Sequence, residues 1–118
     1  MASGAIPDER INASSQLNDQ RAASLARLHL VPSGGKQGGW VAETKDANQW
    51  LQVDLGSIYT RVTRVATQGR NGYKQWVKKY QLQYGNDGAS FQYYRTTGQH
   101  TAKVECTSSN SSKQLSAV

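Results

Sequence analysis

Cysteine is almost absent from this chain of 118 residues: Cys106 stands alone, so neither an internal disulfide nor a thiolate-rich metal site can form. A lone thiol points to a reducing compartment, unless the chain is a piece of something longer. Long hydrophobic runs are also missing. No stretch approaches the roughly 20 apolar residues that cross a bilayer. The opening residues up to Ile11 show no basic region followed by an apolar run, so no signal peptide is visible in this chain. There are two prolines and no heptad pattern, which excludes collagen and coiled coil. What remains is polar (36% hydrophobic, 19% charged) but carries three Trp, six Tyr and one Phe. That aromatic content is too high for a typical disordered segment. The length allows one small domain, β-rich and globular.

Acidic residues are scarce in the second half. Up to Leu55 the chain has five bases and six acids, whereas from Gly56 onward it has nine bases and two acids. No acid lies between Asp54 and Asp87, a span that holds Arg61, Arg64, Arg70, Lys74, Lys78 and Lys79. A basic half attracts phosphates, sulfated glycans or anionic lipid head groups by Coulomb steering. Solvent-facing Lys and Arg on alternate strand positions give the same count, so charge alone selects no partner.

Residues 49–56 alternate Leu51, Val53 and Leu55 with polar side chains, the period-two mark of a half-buried strand. Residues 61–67 are β-branched and predict a second strand. Residues 79–84 predict a third, with Tyr80, Leu82 and Tyr84 on one face. The Gly85-Asn86-Asp87-Gly88 turn then returns the chain as a paired strand over 91–95. Short strands separated by glycine-rich turns make a β-sandwich or barrel. Residues 19–30 conflict with this, since Ala, Leu and Arg favour helix there by local propensity. The Ser-rich end, 105–118, has too few apolar residues to offset its ordering entropy and is expected to be a disordered tail.

Several short pieces, in order, resemble the coagulation factor 5/8 type C, or discoidin, domain family. They are Ser3 to Asp8, Ile11-Asn-Ala-Ser-Ser15, Ala26-Arg-Leu-His29, Gly39-Trp40 and Trp50-Leu-Gln-Val-Asp-Leu-Gly56. After them come Val62 to Gly69, Tyr80-Gln-Leu-Gln-Tyr84, Asn86-Asp-Gly88, Phe91 and Thr101 to Val104. The resemblance covers residues 3–104. It implies an all-β fold, a jelly-roll-like antiparallel β-sandwich or barrel, whose loops at one end recognise ligands. It also implies an extracellular or cell-surface adhesion module, not an enzyme. The expected partners are a cell-surface glycan, an anionic phospholipid or an extracellular protein, with peripheral membrane contact and no membrane span. On this template residues 19–28 form a protruding loop and not a helix. The resemblance implies a cysteine pair that this chain lacks. It also implies closing strands after Val104, where the chain has its Ser-rich segment. The expectation is a domain with its final strands missing, which exposes a sheet edge. A fragment without independent function is therefore the alternative reading.

Two loops carry the expected site. The first holds Leu17, Asn18, Asp19 and Arg21, where lipid-binding members of the family place apolar side chains. Here Leu17 is the only one, worth about 2 kcal/mol if buried, too little alone to hold a domain on a membrane. The second holds Arg70, Tyr73 and Lys74 around the Asn71-Gly72 turn. A Tyr between two cations suits a sugar with an acidic substituent, or an anionic head group. Trp40, Trp50 and Trp76 are expected in the framework.

No catalytic constellation surrounds His29, His100 or Cys106. Asp54 is expected to act as a structural hydrogen-bonding group. Asp8, Asp19, Asp46 and Asp87 lack calcium-loop spacing, so no cofactor is expected and a structural Ca²⁺ enters by family analogy only. Asn12 and Asn110 sit in N-glycosylation tripeptides. The pI of 9.7 and the aromatics among bases at 73–84 leave single-stranded nucleic acid as a less favoured reading, without an RNA-motif signature.

Overall fold

The computed structural model describes residues 5–57, 61–63, 65–95 and the backbone of 104–106. Within it every ladder is antiparallel. The best-formed pair is β1 (Ile11–Ala13) with β2 (Leu51–Val53), in the register Ile11 to Val53 and Ala13 to Leu51. Alternation decides the faces: Leu51 and Val53 point inward with Ile11, while Asn12 faces out. Backbone bonds from Asp54 N to Arg10 O (2.8 Å) and from Ser14 N to Trp50 O (3.0 Å) extend the ladder at both ends. Past β2 the chain turns at Gly56, whose φ of +77° only glycine adopts freely. Asp54 Oδ1 accepts from the Gly56 amide at 2.7 Å, so Asp54 has the structural role expected of it.

The core against this pair is small. Ile11, Leu51, Ala23 and Ala26 form it, with Ile6, Ala13 and Trp40 packed on its margin. Ala23 and Ala26 come from the stretch where local propensity favours helix. The structure has instead two single 3-10 turns, Asp19–Arg21 and Ala23–Leu25, separated by extended Ala22. The reason is tertiary: Arg21 O accepts from the Val41 amide, and Gln20 O accepts from the Gln37 amide. Those groups are committed to a neighbouring segment, so a continuous helix cannot form there. The loop implied by the family template is what folds.

Of the remaining strands, β3 (Lys79–Gln81) pairs with β6 (Val104–Cys106), and β4 (Gln83–Tyr84) pairs with β5 (Gln92–Tyr93). The expected strand over 79–84 is therefore two short ones that change partner at Leu82, whose carbonyl accepts from the Tyr94 amide at 2.8 Å. The hairpin to 91–95 forms as expected. Its turn is held by the Asp87 carboxylate, which accepts from the Ala89 (2.9 Å) and Ser90 (2.8 Å) amides. Strand pairing at β6 reaches Cys106, two residues into the segment expected as tail, and 107–118 lie outside the described residues. The described residues of 61–67 belong to no strand, a departure from expectation; Arg64 lies outside them. β-Branched composition favours extended backbone without specifying a ladder partner. An open cleft of about 890 Å³ lies between the β1–β2 pair and the β4–β5 hairpin, lined by Val53, Val62, Tyr80, Leu82, Tyr84 and Phe91 among others.

Candidate functional site

The first loop is pinned at its base. Leu17 N and Arg21 O are tied to the carbonyl and amide of Val41, and Trp40 Nε1 donates to Ser15 O at 2.8 Å. Its internal bonds are polar: Arg21 Nη1 to Asn18 Oδ1 at 3.2 Å, and Gln16 Nε2 to Asp19 Oδ1 at 3.4 Å. Leu17 is left 47% exposed, with Asn18 and Asp19 exposed beside it and Arg21 half-buried.

The second loop closes on its own backbone. Arg70 N donates to Gln75 O at 2.8 Å and Gln75 N donates to Tyr73 O at 2.9 Å, while Gly72 supplies the left-handed conformation of the turn (φ +81°). Tyr73 is 54% exposed and Lys74 is exposed. Arg70 differs from Lys74 in direction. Its guanidinium lies 3.6 Å from the Tyr73 ring centroid, and its Nη1 and Nη2 donate to Gln75 Oε1 (2.6 Å) and Gln37 Oε1 (2.7 Å).

Between the two loops runs the segment 37–41, which joins them. Gln37 N donates to Gln20 O at 2.9 Å, Gly38 bridges Asn71, and Asn71 Nδ2 donates to Leu30 O at 3.3 Å. Gly38 is buried against that bridge, and a side chain there would meet Asn71, Leu30 O and Pro32. The two expected loops are thus parts of one assembly of loops.

That assembly has a third member which sequence reasoning missed. Ser33 and Lys36 exchange two backbone bonds (3.0 and 2.9 Å) across Gly34-Gly35, both with positive φ, as a two-residue hairpin of the primed type requires. It carries Val31, 65% exposed, and exposed Lys36. The signal was present, since a Gly-Gly pair is one of the two-residue connections that mark such a hairpin. Gln37 carried no signal at all.

The acids serve local turns. Asp46 accepts from Gln49 Nε2 and the Asn48 amide, and the Gln49 bond foremost holds its carboxyl below the usual carboxylate range. Asp87 is held low in the same way, chiefly by the Ser90 amide. Asp8 pairs with Arg27, and Arg10 lies 4.0 Å from Asp54. Among the described residues, no three His, Cys, Asp or Glu side chains come together as metal ligands. His29 is exposed, and its amide donates to Gln68 Oε1; His100 and Asn110 lie outside the described residues. Asn12 is exposed on β1. Trp40 packs on the core as expected, but Trp50 (50%) and Trp76 (38%) are exposed, so for these two the expectation of burial fails. Trp50 contributes to the framework through its backbone. No described helix is long and apolar enough to cross a membrane.

A family model, the F5/8 type C domain, matches residues 10–116. Lactadherin of Bos taurus is 35% identical over 104 residues, covering 84% of this chain and 24% of that protein. Lactadherin of Sus scrofa is 36% identical over 107 residues (84% and 25%). EGF-like repeat and discoidin I-like domain-containing protein 3 of Homo sapiens is 38% identical over 109 residues (88% and 22%). The chain spans about a quarter of the length of these relatives.

Proposed function

The chain belongs to the F5/8 type C domain family, an all-β sandwich, and from that premise we propose that it is a non-enzymatic, extracellular ligand-binding module that adheres to anionic lipid head groups through the joined loops. The observation that carries this reading is the composition of the loop assembly. Exposed Leu17, Val31 and Tyr73 stand on loops that also carry Arg21, Lys36 and Lys74. Among the described residues neither lysine has an ion-pair partner. Apolar side chains beside unpaired cations match a surface whose charge lies just outside its hydrocarbon.

The magnitudes set the expected strength. Leu17 and Val31 are about half to two-thirds exposed, so their insertion supplies about 1 kcal/mol each. Each cation near an anionic surface adds about 1 kcal/mol. The total of about 5 kcal/mol corresponds to a Kd in the range of ~0.1–1 mM. Co-sedimentation with phosphatidylserine-containing vesicles should therefore give weak binding, lost on raising the salt and absent from pure phosphatidylcholine vesicles. Binding confined to acidic glycans on an array would move the ligand to a sugar. Tight binding to oligonucleotides would replace the reading altogether.

A further inference from the structure

We propose that Arg70 is a positioning residue of this site and not one of its anion contacts: it fixes Tyr73 and locks the second loop to the segment 37–41, leaving Lys74 as the cation that meets the ligand there. The inference rests on the ligand-binding reading above and deepens it.

The two cations that flank Tyr73 look equivalent in sequence, but their surroundings differ. Lys74 is exposed and reaches solvent. Arg70 is half-buried, and each of its two Nη atoms donates a bond inside the protein. Nη1 binds the side-chain oxygen of Gln75, five residues on in the same loop, while Nη2 binds that of Gln37, from the segment that joins the loops. Nε is buried with no hydrogen-bond partner. The plane that remains packs on the Tyr73 ring, with Cζ 3.6 Å from its centroid. With Nε buried and the ring over one face, a ligand anion could receive a bond from this group only at the second hydrogen of Nη1 or Nη2. The charge is also shared with the ring's electron-rich face, which lowers what it can offer an anion outside.

What the guanidinium does here depends on its shape more than on its charge. Its fork reaches two oxygens from two different segments while its flat face covers a ring, three contacts that a single ammonium cannot reproduce. Gln37 is the link outward, since its amide also donates to Gln20 O in the first loop. The network Gln20–Gln37–Arg70–Gln75 thus spans from the first loop to the second, with Tyr73 held at its end.

The test compares the whole chain with its Arg70→Lys and Lys74→Gln variants, using vesicles of phosphatidylserine in phosphatidylcholine, free phosphoserine, and amide NMR spectra without ligand. Lys74→Gln is expected to weaken vesicle binding about fivefold, to lower its salt dependence, and to leave the Gln37 and Gln75 resonances in place. Arg70→Lys keeps the charge and yet is expected to weaken binding by at least as much, with the salt dependence preserved and the Gln37 and Gln75 resonances moved. The wild-type guanidinium resonances of Arg70 should not shift on adding phosphoserine or vesicles, a readout that stands even if Arg70→Lys fails to fold. An Arg70→Lys variant that binds like wild type, or a guanidinium resonance that follows the ligand, would overturn this inference alone. A wild-type chain that binds no vesicle overturns the ligand-binding reading, and this inference with it.

Discussion

Gly38→Ala should separate the loops without altering any side chain proposed to meet the ligand. A Cβ at Gly38 would lie 2.9 Å from Asn71 Cβ, 2.9 Å from Leu30 O and 3.1 Å from Pro32 Cδ. One of these is backbone oxygen and cannot swing away, so the segment 37–41 or the second loop must move. Overpacking of this kind costs about 1–3 kcal/mol. The bonds that hold Asn71 to Gly38 O and to Leu30 O, both 3.3 Å, are strained or lost at about 1 kcal/mol each. Alanine returns about 0.5 kcal/mol by restricting the unfolded chain. The net is about 2.5–4.5 kcal/mol, a large part of the stability of a small domain, and should lower Tm by roughly 10–18 °C. The neighbouring Gly39→Ala is the internal control. The nearest atoms to its Cβ would be those of Arg70 at 3.6–3.7 Å, ordinary van der Waals distance, so its stability should change by less than about 1 kcal/mol. Thermal melts of the two variants, followed by circular dichroism, decide the matter. A Gly38→Ala protein melting within about 2 °C of wild type would refute the close approach on which the joined loops depend.

Further outcomes are expected elsewhere. Leu51→Ala removes the central buried side chain of the β1–β2 pair, 4% exposed, and should cost about 2–5 kcal/mol by urea denaturation. Leu17→Ser and Val31→Ser should each weaken vesicle binding about fivefold, from about 1 kcal/mol of lost insertion, while leaving Tm unchanged. Because the Asp87 carboxyl is held low in the folded state, its stabilisation of the 86–90 turn is full above the unfolded-chain value and is lost as pH falls through the lower folded one. The Ala89 and Ser90 amides should therefore lose protection below about pH 4, relative to the intrinsic exchange rate at each pH, and Asp87→Asn should remove that step.

The legible parts of this fold were those that a local pattern determines. Leu51 and Val53 alternate and are buried, and Asn86-Asp87-Gly88 makes the turn its residue types favour. The illegible parts depend on distant partners. The helical propensity of 19–30 gives way because the Gln37 and Val41 amides take the Gln20 and Arg21 carbonyls a helix would need, and 79–84 divides because Tyr94 claims Leu82 O. The site divides similarly. Asn71-Gly72 announced the loop bearing Arg70, Tyr73 and Lys74, but nothing local distinguishes an arginine turned inward from a lysine turned outward. That depends on Gln37, 33 positions earlier in the chain, a residue type with no signature of its own.

The loops are held together largely by main-chain groups: Leu17 N to Val41 O, Val41 N to Arg21 O, Gln37 N to Gln20 O and Asn71 N to Gly38 O. Every residue type except proline offers the same amide and carbonyl. The side chains at the loop tips can therefore be exchanged in evolution, or in a designed library, while the frame that presents them is inherited unchanged. On the proposed reading, such a frame would change its ligand by a few substitutions at 17, 31, 36 and 74 without refolding. The positions least free to drift are those where the frame itself depends on a side chain or on the absence of one, among them Gly38, Gln37, Arg70, Asn71 and Trp40.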